Sequence, residues 1–207
     1  PMVFNYDSEL NSYTYKFNGG DAMYEDINHD GNINELDLVY LGNSNPKAQG
    51  GFGFTFNYKR FSLKTNFSYR WDVDVINSAR MDVENMFGNN NQSNAVNWRW
   101  RKEGDITEIP RALKGVGYNY LGSDRFVEDA SYLRLSYLQV SYSFDKKWLK
   151  NYGLESLTMY ASADNLFFLS KYTGLDPEVS AGAWGRAYDS AKTPRSRSYT
   201  LSLSVGF

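Results

Sequence analysis

Tyr199-Thr-Leu-Ser-Leu-Ser-Val-Gly-Phe207 places large apolar residues at every odd position and small ones at every even position. Strict period-two alternation specifies a strand with two unlike faces. Tyr199, Leu201, Leu203, Val205 and Phe207 form the apolar face, and Thr200, Ser202, Ser204 and Gly206 the other. At ~3.3 Å per residue the stretch reaches roughly 25 Å, which after tilting covers most of the ~25 Å apolar band of a membrane barrel. An aromatic residue stands at each end of the apolar face, where the two membrane interfaces would lie. The reading is a transmembrane strand with one face toward lipid, and its abrupt end on Phe207 suits the closing strand of a barrel, spanning 198–207.

Composition agrees with an all-β chain. Among 207 residues, 17 Tyr and 13 Phe accompany 17 Gly and only 5 Pro, with a formal charge of −2. Aromatics at that level suit strands with interfacial side chains. No run approaches the ~18 apolar residues of a transmembrane helix, and the mean hydropathy is negative, which a barrel tolerates because lumen-facing positions are polar. Near-neutral charge without a basic block argues against nucleic acid. With no cysteine, nothing is held by disulfides.

The same alternation recurs upstream. Gly50 to Lys59 sets Phe52, Phe54, Phe56 and Tyr58 against Gly51, Gly53, Thr55 and Asn57, and after a turn at Lys59-Arg60, Phe61 to Trp71 repeats it with Lys64, Asn66 and Arg70 on the polar face. Charges on that face suit a water-filled lumen and would be costly toward lipid. Ser131 to Phe144 changes phase between Leu135 and Leu138, which predicts a bulge; Leu154 to Asn165 is a further strand, joined to it by the connector Asp145–Gly153. Val3–Tyr6 and Tyr13–Phe17 are short alternating pieces that could be an edge strand or an ordered loop. The intervening stretches 72–129 and 166–197 are long and polar, with helices expected over Ser78–Phe87 and Ala95–Arg101. Long and short connections alternate, as they do between the two rims of an outer-membrane barrel. Five such strands cannot close a barrel, which needs at least about eight, so the expected object is an antiparallel barrel segment completed by further strands.

The most chemically specific stretch is 26–37. Asp26, Asn28, Asp30, Asn32, Asn34 and Asp37 supply oxygens around Gly31 and Ile33 at the spacing of a calcium loop, in which alternate residues turn inward and the glycine takes the sharp turn. Asp37 stands where a bidentate Glu is usual, so its shorter carboxylate predicts weaker binding. The competing reading is a surface loop of Asx-turns without an ion. His29 is expected to point outward. Trp98, Trp100, Trp184 and Tyr188 suit stacking on a sugar or peptide, with packing of the loop favoured over ligand stacking for the first pair. Adjacent Glu128 and Asp129 would point apart on a strand and make a poor acid/base pair; with one histidine and no cysteine, no nucleophilic or metal-hydrolytic constellation is visible.

Several stretches together resemble one family. They are Gly20-Asp-Ala-Met-Tyr-Glu-Asp-Ile-Asn-His-Asp-Gly-Asn-Ile-Asn34, Gly42-Asn-Ser-Asn-Pro-Lys47, Asn89-Asn-Asn-Gln92, Ile109-Pro-Arg111, Arg125-Phe-Val-Glu-Asp-Ala-Ser-Tyr-Leu-Arg-Leu135, Ala163-Asp-Asn-Leu166, Tyr172-Thr-Gly-Leu-Asp-Pro-Glu178, Pro194 and the terminal strand. In order and spacing they are similar to the carboxyl-terminal part of SusC/RagA-type TonB-dependent outer-membrane transporters of Bacteroidota, with Ala130 where that family usually has Gly. The resemblance implies a portion of a barrel of about 22 strands, importing oligosaccharides or peptides with a SusD-like lipoprotein and energised by TonB through an amino-terminal region outside this sequence. It implies a divalent cation, Ca2+ with Mg2+ as the alternative, at Asp26, Asn28, Asp30, Asn32, Asn34 and Asp37. It also implies a signal for the barrel-assembly machinery at Tyr199, Leu201, Leu203, Val205 and Phe207. Expected partners are the remainder of the barrel, the lipoprotein, TonB, the assembly machinery and the lipid bilayer, in the cell outer membrane, with no enzymatic role. A structural subunit of an outer-membrane assembly or secretion complex is the alternative, and a secreted calcium-binding β-sandwich ranks well behind.

Overall fold

The computed structural model describes residues 3–8, 11–178 and 187–207, with side chains from residue 15 onward. The chain divides into two compact units, 43–75 with 129–187 and 192–207, and 1–42 with 76–128 and 188–191.

The first unit is built on a five-stranded antiparallel sheet. Its strands are β4 (Ala48–Tyr58), β5 (Phe61–Trp71), β8 (Tyr132–Ser143), β9 (Ser156–Ser170) and β10 (Ser198–Gly206), in the spatial order β10-β9-β8-β5-β4. Registers place Leu203, Met159, Tyr142, Phe61 and Tyr58 in one row across all five strands, and Leu201, Ala161, Val140, Leu63 and Phe56 in the next. The opposite face carries Ser202, Tyr160, Ser141, Ser62 and Asn57, then Thr200, Ser162, Gln139, Lys64 and Thr55. In these rows one face is therefore apolar and the other is hydroxyl and amide with the single charge of Lys64. The apolar face is not a core: Leu201 remains 72% and Phe56 60% exposed, an uncovered area far beyond the few hundred Å2 usual on a soluble surface.

Keeping β8 two-faced requires a bulge. Leu133 and Leu135 are odd-numbered and Leu138, Val140 and Tyr142 are even-numbered, so on a regular strand they would project oppositely. Pairing with β5 steps from Asn66↔Tyr137 to Phe67↔Leu135. Ser136 is thus the extra residue, and its hydroxyl lies 2.9 Å from that of Ser68. A second irregularity explains why β9 runs to Ser170 rather than ending at Asn165 as its alternation suggests. Asn165 takes a left-handed conformation, φ 50°, and pairing with β8 moves from Asp164↔Tyr137 to Phe167↔Leu135. The strand then continues with Phe167 and Leu169 back on the apolar face, and the long connection begins at Lys171.

Short connections close one end of the sheet. One is the turn at Lys59 (φ 54°). The other is the helix α2 (Lys146–Leu149), capped by the Asp145 side chain on the Lys147 N–H, followed by a 3-10 turn Lys150–Tyr152 and Gly153 at φ 69°. At the other end, Val73, Val75, Ala130, Tyr172 and Ala187 form a small apolar cluster. Ala130 donates its N–H to the Val73 carbonyl at 2.8 Å and is 2% exposed, so alanine fits there without strain.

In the second unit β1 (Val3–Ser8) and β2 (Asn11–Lys16) form a hairpin, and β3 (Asn32–Ile33) pairs parallel to β1. The two amino-terminal pieces are thus strands. Helix α1 (Ser78–Glu84) forms as expected but stops earlier, because Asn85 turns extended and its side chain accepts the Phe87 N–H at 2.8 Å. The expected helix over Ala95–Arg101 is instead a 3-10 segment, Asn94–Trp98. Thr107 Oγ1 donates to the Trp98 carbonyl at 2.6 Å and the Trp100 N–H to Ile109 O at 2.9 Å, diverting the backbone before an α-helix can extend. Residues Asp74–Ile76 (β6) and Val127–Asp129 (β7) make a two-stranded ribbon.

Deleting Ser136 is expected to reverse the facing of Leu133 and Leu135 and abolish folded protein, read as loss of protease resistance. Ser136→Ala removes only one hydroxyl contact, worth about 0.5–1.5 kcal/mol, and should retain the fold.

Candidate functional site

The loop 26–37 closes itself through its own carboxylates. Asp26 accepts the N–H groups of Asp30 (3.2 Å) and Gly31 (2.8 Å), Asp30 accepts that of Asn32 (2.8 Å), and Asp37 accepts those of Ile27 (2.9 Å) and Asn34 (2.7 Å). Asn34 caps the 3-10 turn Glu35–Asp37 through the Leu36 N–H at 2.8 Å. His29 (φ 61°) and Gly31 (φ 85°) take the left-handed conformations that fold the acidic residues back on one another. Ile33, 5% exposed, is buried while pairing with β1. The Asn32 N–H and the Asn28 amide hold the Asp30 carboxyl below its ordinary range. Among the described residues no three His, Cys, Asp or Glu side chains converge on one point; the available donors are a mixed Asp, Asn and carbonyl oxygen set, the hard-ligand chemistry of Ca2+ or Mg2+.

The aromatic candidates separate. Trp98 is 76% exposed and free to stack on a ligand, and Tyr188 is 44% exposed. Trp100 is committed to packing: its indole lies against Gly20, where a Cβ would come within 2.3 Å of the ring. Gly20 also needs its φ of 83°, so both the close approach and the backbone demand glycine. Trp184 lies outside the described residues. The structure does not bring Trp98 and Trp100 together as one stacking surface.

Sequence reasoning did not anticipate three ionic networks. Arg111 grips Asp21 through Nε (2.6 Å) and Nη2 (3.0 Å), and Tyr15 Oη (3.0 Å), the Asn18 N–H (2.8 Å) and Asn119 Nδ2 (3.1 Å) complete its shell. Burial would raise the Asp21 carboxyl; the Arg111, Asn18, Asn119 and Tyr15 hydrogen bonds outweigh it and hold it low. Burial, then the bond to Asp21, raises the Tyr15 hydroxyl. In the same unit Arg80 binds Glu84 (2.9 Å) and Glu128 (3.3 Å), Arg125 binds Glu84, and both guanidiniums lie over the Phe126 ring. Glu128, far from being half of an acid/base pair, is an ion-pair acceptor that also takes a hydrogen bond from Asn77 at 3.2 Å. In the sheet unit, Arg134 on the polar face pairs with Asp176 and lies 3.4 Å from Glu178, which Arg195 binds at 2.6 Å. The Arg134 side chain is 3% exposed and sits between the rings of Tyr132 and Phe168. Except for the one-turn pair Arg80–Glu84, the ion-pair partners are 17 to 90 residues distant in the chain, so no local spacing betrays them. The motifs around Asp21, Arg111, Arg125, Arg134 and Asp176 are the only hint.

Comparison with known proteins places the arrangement. A TonB-dependent receptor of Formosa agariphila is 28% identical over 220 aligned positions, covering 100% of this chain and 21% of the receptor. The TonB-dependent receptor SusC of Bacteroides thetaiotaomicron is 30% identical over 89% of this chain and 17% of its own length. The chain is related to the SusC-type TonB-dependent receptors. No family model matches. The structure of the RagAB peptide transporter superposes with a TM-score of 0.67 at 25% identity, over 80% of this chain and 18% of that one. The RagAB peptide importer in an open-open state superposes at 0.69 over the whole chain at 22% identity, a likeness of fold. The chain spans about a fifth of the length of the curated relatives it matches, and those relatives are receptors rather than enzymes.

Because Asp21 is held low, its contribution to stability is full above the ordinary carboxylate range and lost as pH falls through the depressed value. Protease sensitivity of residues 15–24 and 109–120 should therefore rise in acid. Asp21→Asn should raise it already at neutral pH, because Arg111 is left without its counter-charge, and should flatten the acid dependence.

Proposed function

We propose that this chain forms a length of the wall and outer loops of an outer-membrane importer for oligosaccharides or peptides, energised by TonB and working with a SusD-like lipoprotein. The observation that carries this reading is the two-faced sheet, apolar on one side but for Thr65 and polar on the other, with most of the apolar side exposed. Such a sheet suits lipid outside and an aqueous lumen inside. The short connections at Lys59-Arg60 and Asp145–Gly153 then face the periplasm, and 72–129 and 171–197 face outward with 26–37. Relatives named as TonB-dependent receptors, and a solved neighbour described as a peptide transporter, support the choice of an importer over a scaffold. Tyr199, Leu201, Leu203, Val205 and Phe207 serve as the assembly signal and as lipid-facing side chains at once. In the outer loops, exposed Trp98 and Tyr188 are the side chains suited to stack on substrate or on the lipoprotein.

The same reading gives 26–37 a divalent cation, Ca2+ first. Asp26, Asn28, Asp30, Asn34 and Asp37 would hold it with a carbonyl at position 32, and the cation would brace the loop without catalysing anything. The fit rests on the oxygen set and on a backbone already turned at His29 and Gly31. Calorimetry on the purified native polypeptide should show one Ca2+ bound, with binding lost in Asp30→Ala; absence of binding heat in the parent protein would leave only a loop of Asx-turns.

For the wall, an arginine introduced on the lipid face should cost about 2–4 kcal/mol near the bilayer midplane, whereas one on the lumen face should not. Leu201→Arg is expected to cut folded protein in the outer-membrane fraction sharply and Thr200→Arg to leave it near normal. Equal effects from both would contradict the assignment of faces.

A further inference from the structure

The two short connections carry a feature that closing a hairpin does not require. Lys59, Arg60, Lys146, Lys147 and Lys150 place five cations at one end of the sheet, against the carboxylates of Asp145 and Glu155 within the same connections. That end is net positive in a chain whose total is −2. Asp145 is already consumed: Arg60 pairs with it, and it caps α2 through the Lys147 N–H at 2.9 Å. Lys146, Lys147 and Lys150 are exposed, and among the described residues none of the three has an ion-pair partner.

The same connections carry a ladder of aromatic rings. Phe61 and Tyr142 lie 4.7 Å apart, Tyr142 and Phe144 5.0 Å, Phe144 and Trp148 5.8 Å, and Trp148 and Tyr152 4.9 Å. Phe61 and Tyr142 belong to an apolar row of the sheet, so the ladder carries the apolar face around its short-turn end. Trp148 is 48% and Tyr152 65% exposed. The fully buried Leu149 (0% exposed) and the Leu154 N–H to Leu149 carbonyl bond at 3.2 Å fix α2 in place, so the lysines and rings occupy a set geometry. Rings with an apolar body and a polar tip settle at the headgroup level of a bilayer, and lysine stems lie along such apolar surface with their ammonium groups reaching toward water.

We propose that this short-turn rim is a binding collar for anionic phospholipid headgroups, with Trp148 and Tyr152 seated among the upper acyl carbons and Lys146, Lys147 and Lys150 on the phosphates. The proposal rests on the sheet crossing a membrane with its apolar face toward lipid. It goes beyond that by giving one rim a preference for lipid charge. Zwitterionic lipid would satisfy the aromatic ladder equally well, but its phosphate is already neutralised by the cation of its own headgroup, so the discrimination comes from the lysines meeting a headgroup of net negative charge.

The test is native mass spectrometry of the purified native polypeptide in detergent, supplied with equal phosphatidylglycerol and phosphatidylcholine. The parent should retain phosphatidylglycerol preferentially. Lys146→Gln/Lys147→Gln/Lys150→Gln should lose that preference by on the order of tenfold, whereas Lys102→Gln/Lys114→Gln/Lys192→Gln, with the same change of charge elsewhere, should keep it. Equal retention of both lipids by the parent, or the same loss in both triple variants, would overturn the collar. A polypeptide that leaves membranes without detergent would instead overturn the membrane-spanning reading on which the collar rests, so the two failures are distinguishable.

Discussion

Every strand of the sheet obeys one constraint: its side chains must divide cleanly between a hydrocarbon face and a polar face, because each face meets a different solvent. In water alone an apolar face of five strands would have to be covered by a second layer. Here the registers align that face row by row and leave it open. Lipid is the medium in which such a face is stable, and it also demands that each backbone N–H and C=O be paired within the sheet. The bulges follow from the same demand. Ser136 is an unpaired insertion whose benefit is to return Leu138, Val140 and Tyr142 to the side of Leu133 and Leu135, and Asn165 lets β9 follow that shift without leaving the ladder. Local irregularity preserves a global division of faces.

Away from the sheet the chain holds its long connections by charge. A connection as long as 72–129 cannot be ordered by hydrophobic burial alone when so much of it is polar, and burying an ion is costly unless it is paired and hydrogen-bonded. The three arginine networks pair every charge, although among the described residues Arg125 Nε, Arg134 Nε and Glu178 Oε2 are buried without a hydrogen-bond partner. Asp21 receives five donors, Glu84 pairs with Arg80 and Arg125 and Glu128 with Arg80, over the Phe126 ring, and Arg134 is enclosed by two aromatic faces with carboxylates at its tip. Planar guanidinium suits these places because it can fork, as Arg111 does on Asp21, or lie over a ring, as Arg80, Arg125 and Arg134 do. A lysine at 134 would keep the charge and lose the contact of a planar cation with the Tyr132 and Phe168 rings.

How much of this was legible in the sequence depended on the range of the interaction. Period-two alternation is a property of neighbours, so β4, β5 and β10 could be read nearly residue by residue, and the phase change around Ser136 announced its bulge. Asn165 was not legible: the odd-numbered alternation resumes after it unchanged, and the polar Asp164-Asn165 pair mimics a strand end. Trp98 and Trp100 looked equivalent from spacing, yet one is exposed and the other covers Gly20, a difference decided by contacts eighty residues away. The loop 26–37 was legible as a pattern of oxygens, because its hydrogen bonds run between residues two to ten apart. The ionic networks, whose partners come from distant segments, left no local periodicity.

The polar face of the sheet shows where selectivity can and cannot reside. Toward the short-turn end it offers Ser202, Tyr160, Ser141, Ser62, Asn57, Thr200, Ser162, Gln139 and Thr55, with Lys64 as the one charge in those rows. Hydroxyls and amides remain well solvated and bind passing solutes weakly, since each contact only replaces one made to water. Desolvated charge collects instead near the long connections, at Arg134, Asp176 and Glu178, with the exposed Arg195 at their edge. On the proposed function this is a workable separation: a wall of neutral hydroxyls does not retain what passes along it, while rigid loops held by buried arginines can present exposed groups such as Trp98 in a fixed geometry. The alternation that specifies the sheet therefore specifies little about substrate, and chemistry that discriminates between solutes has to come from the loops.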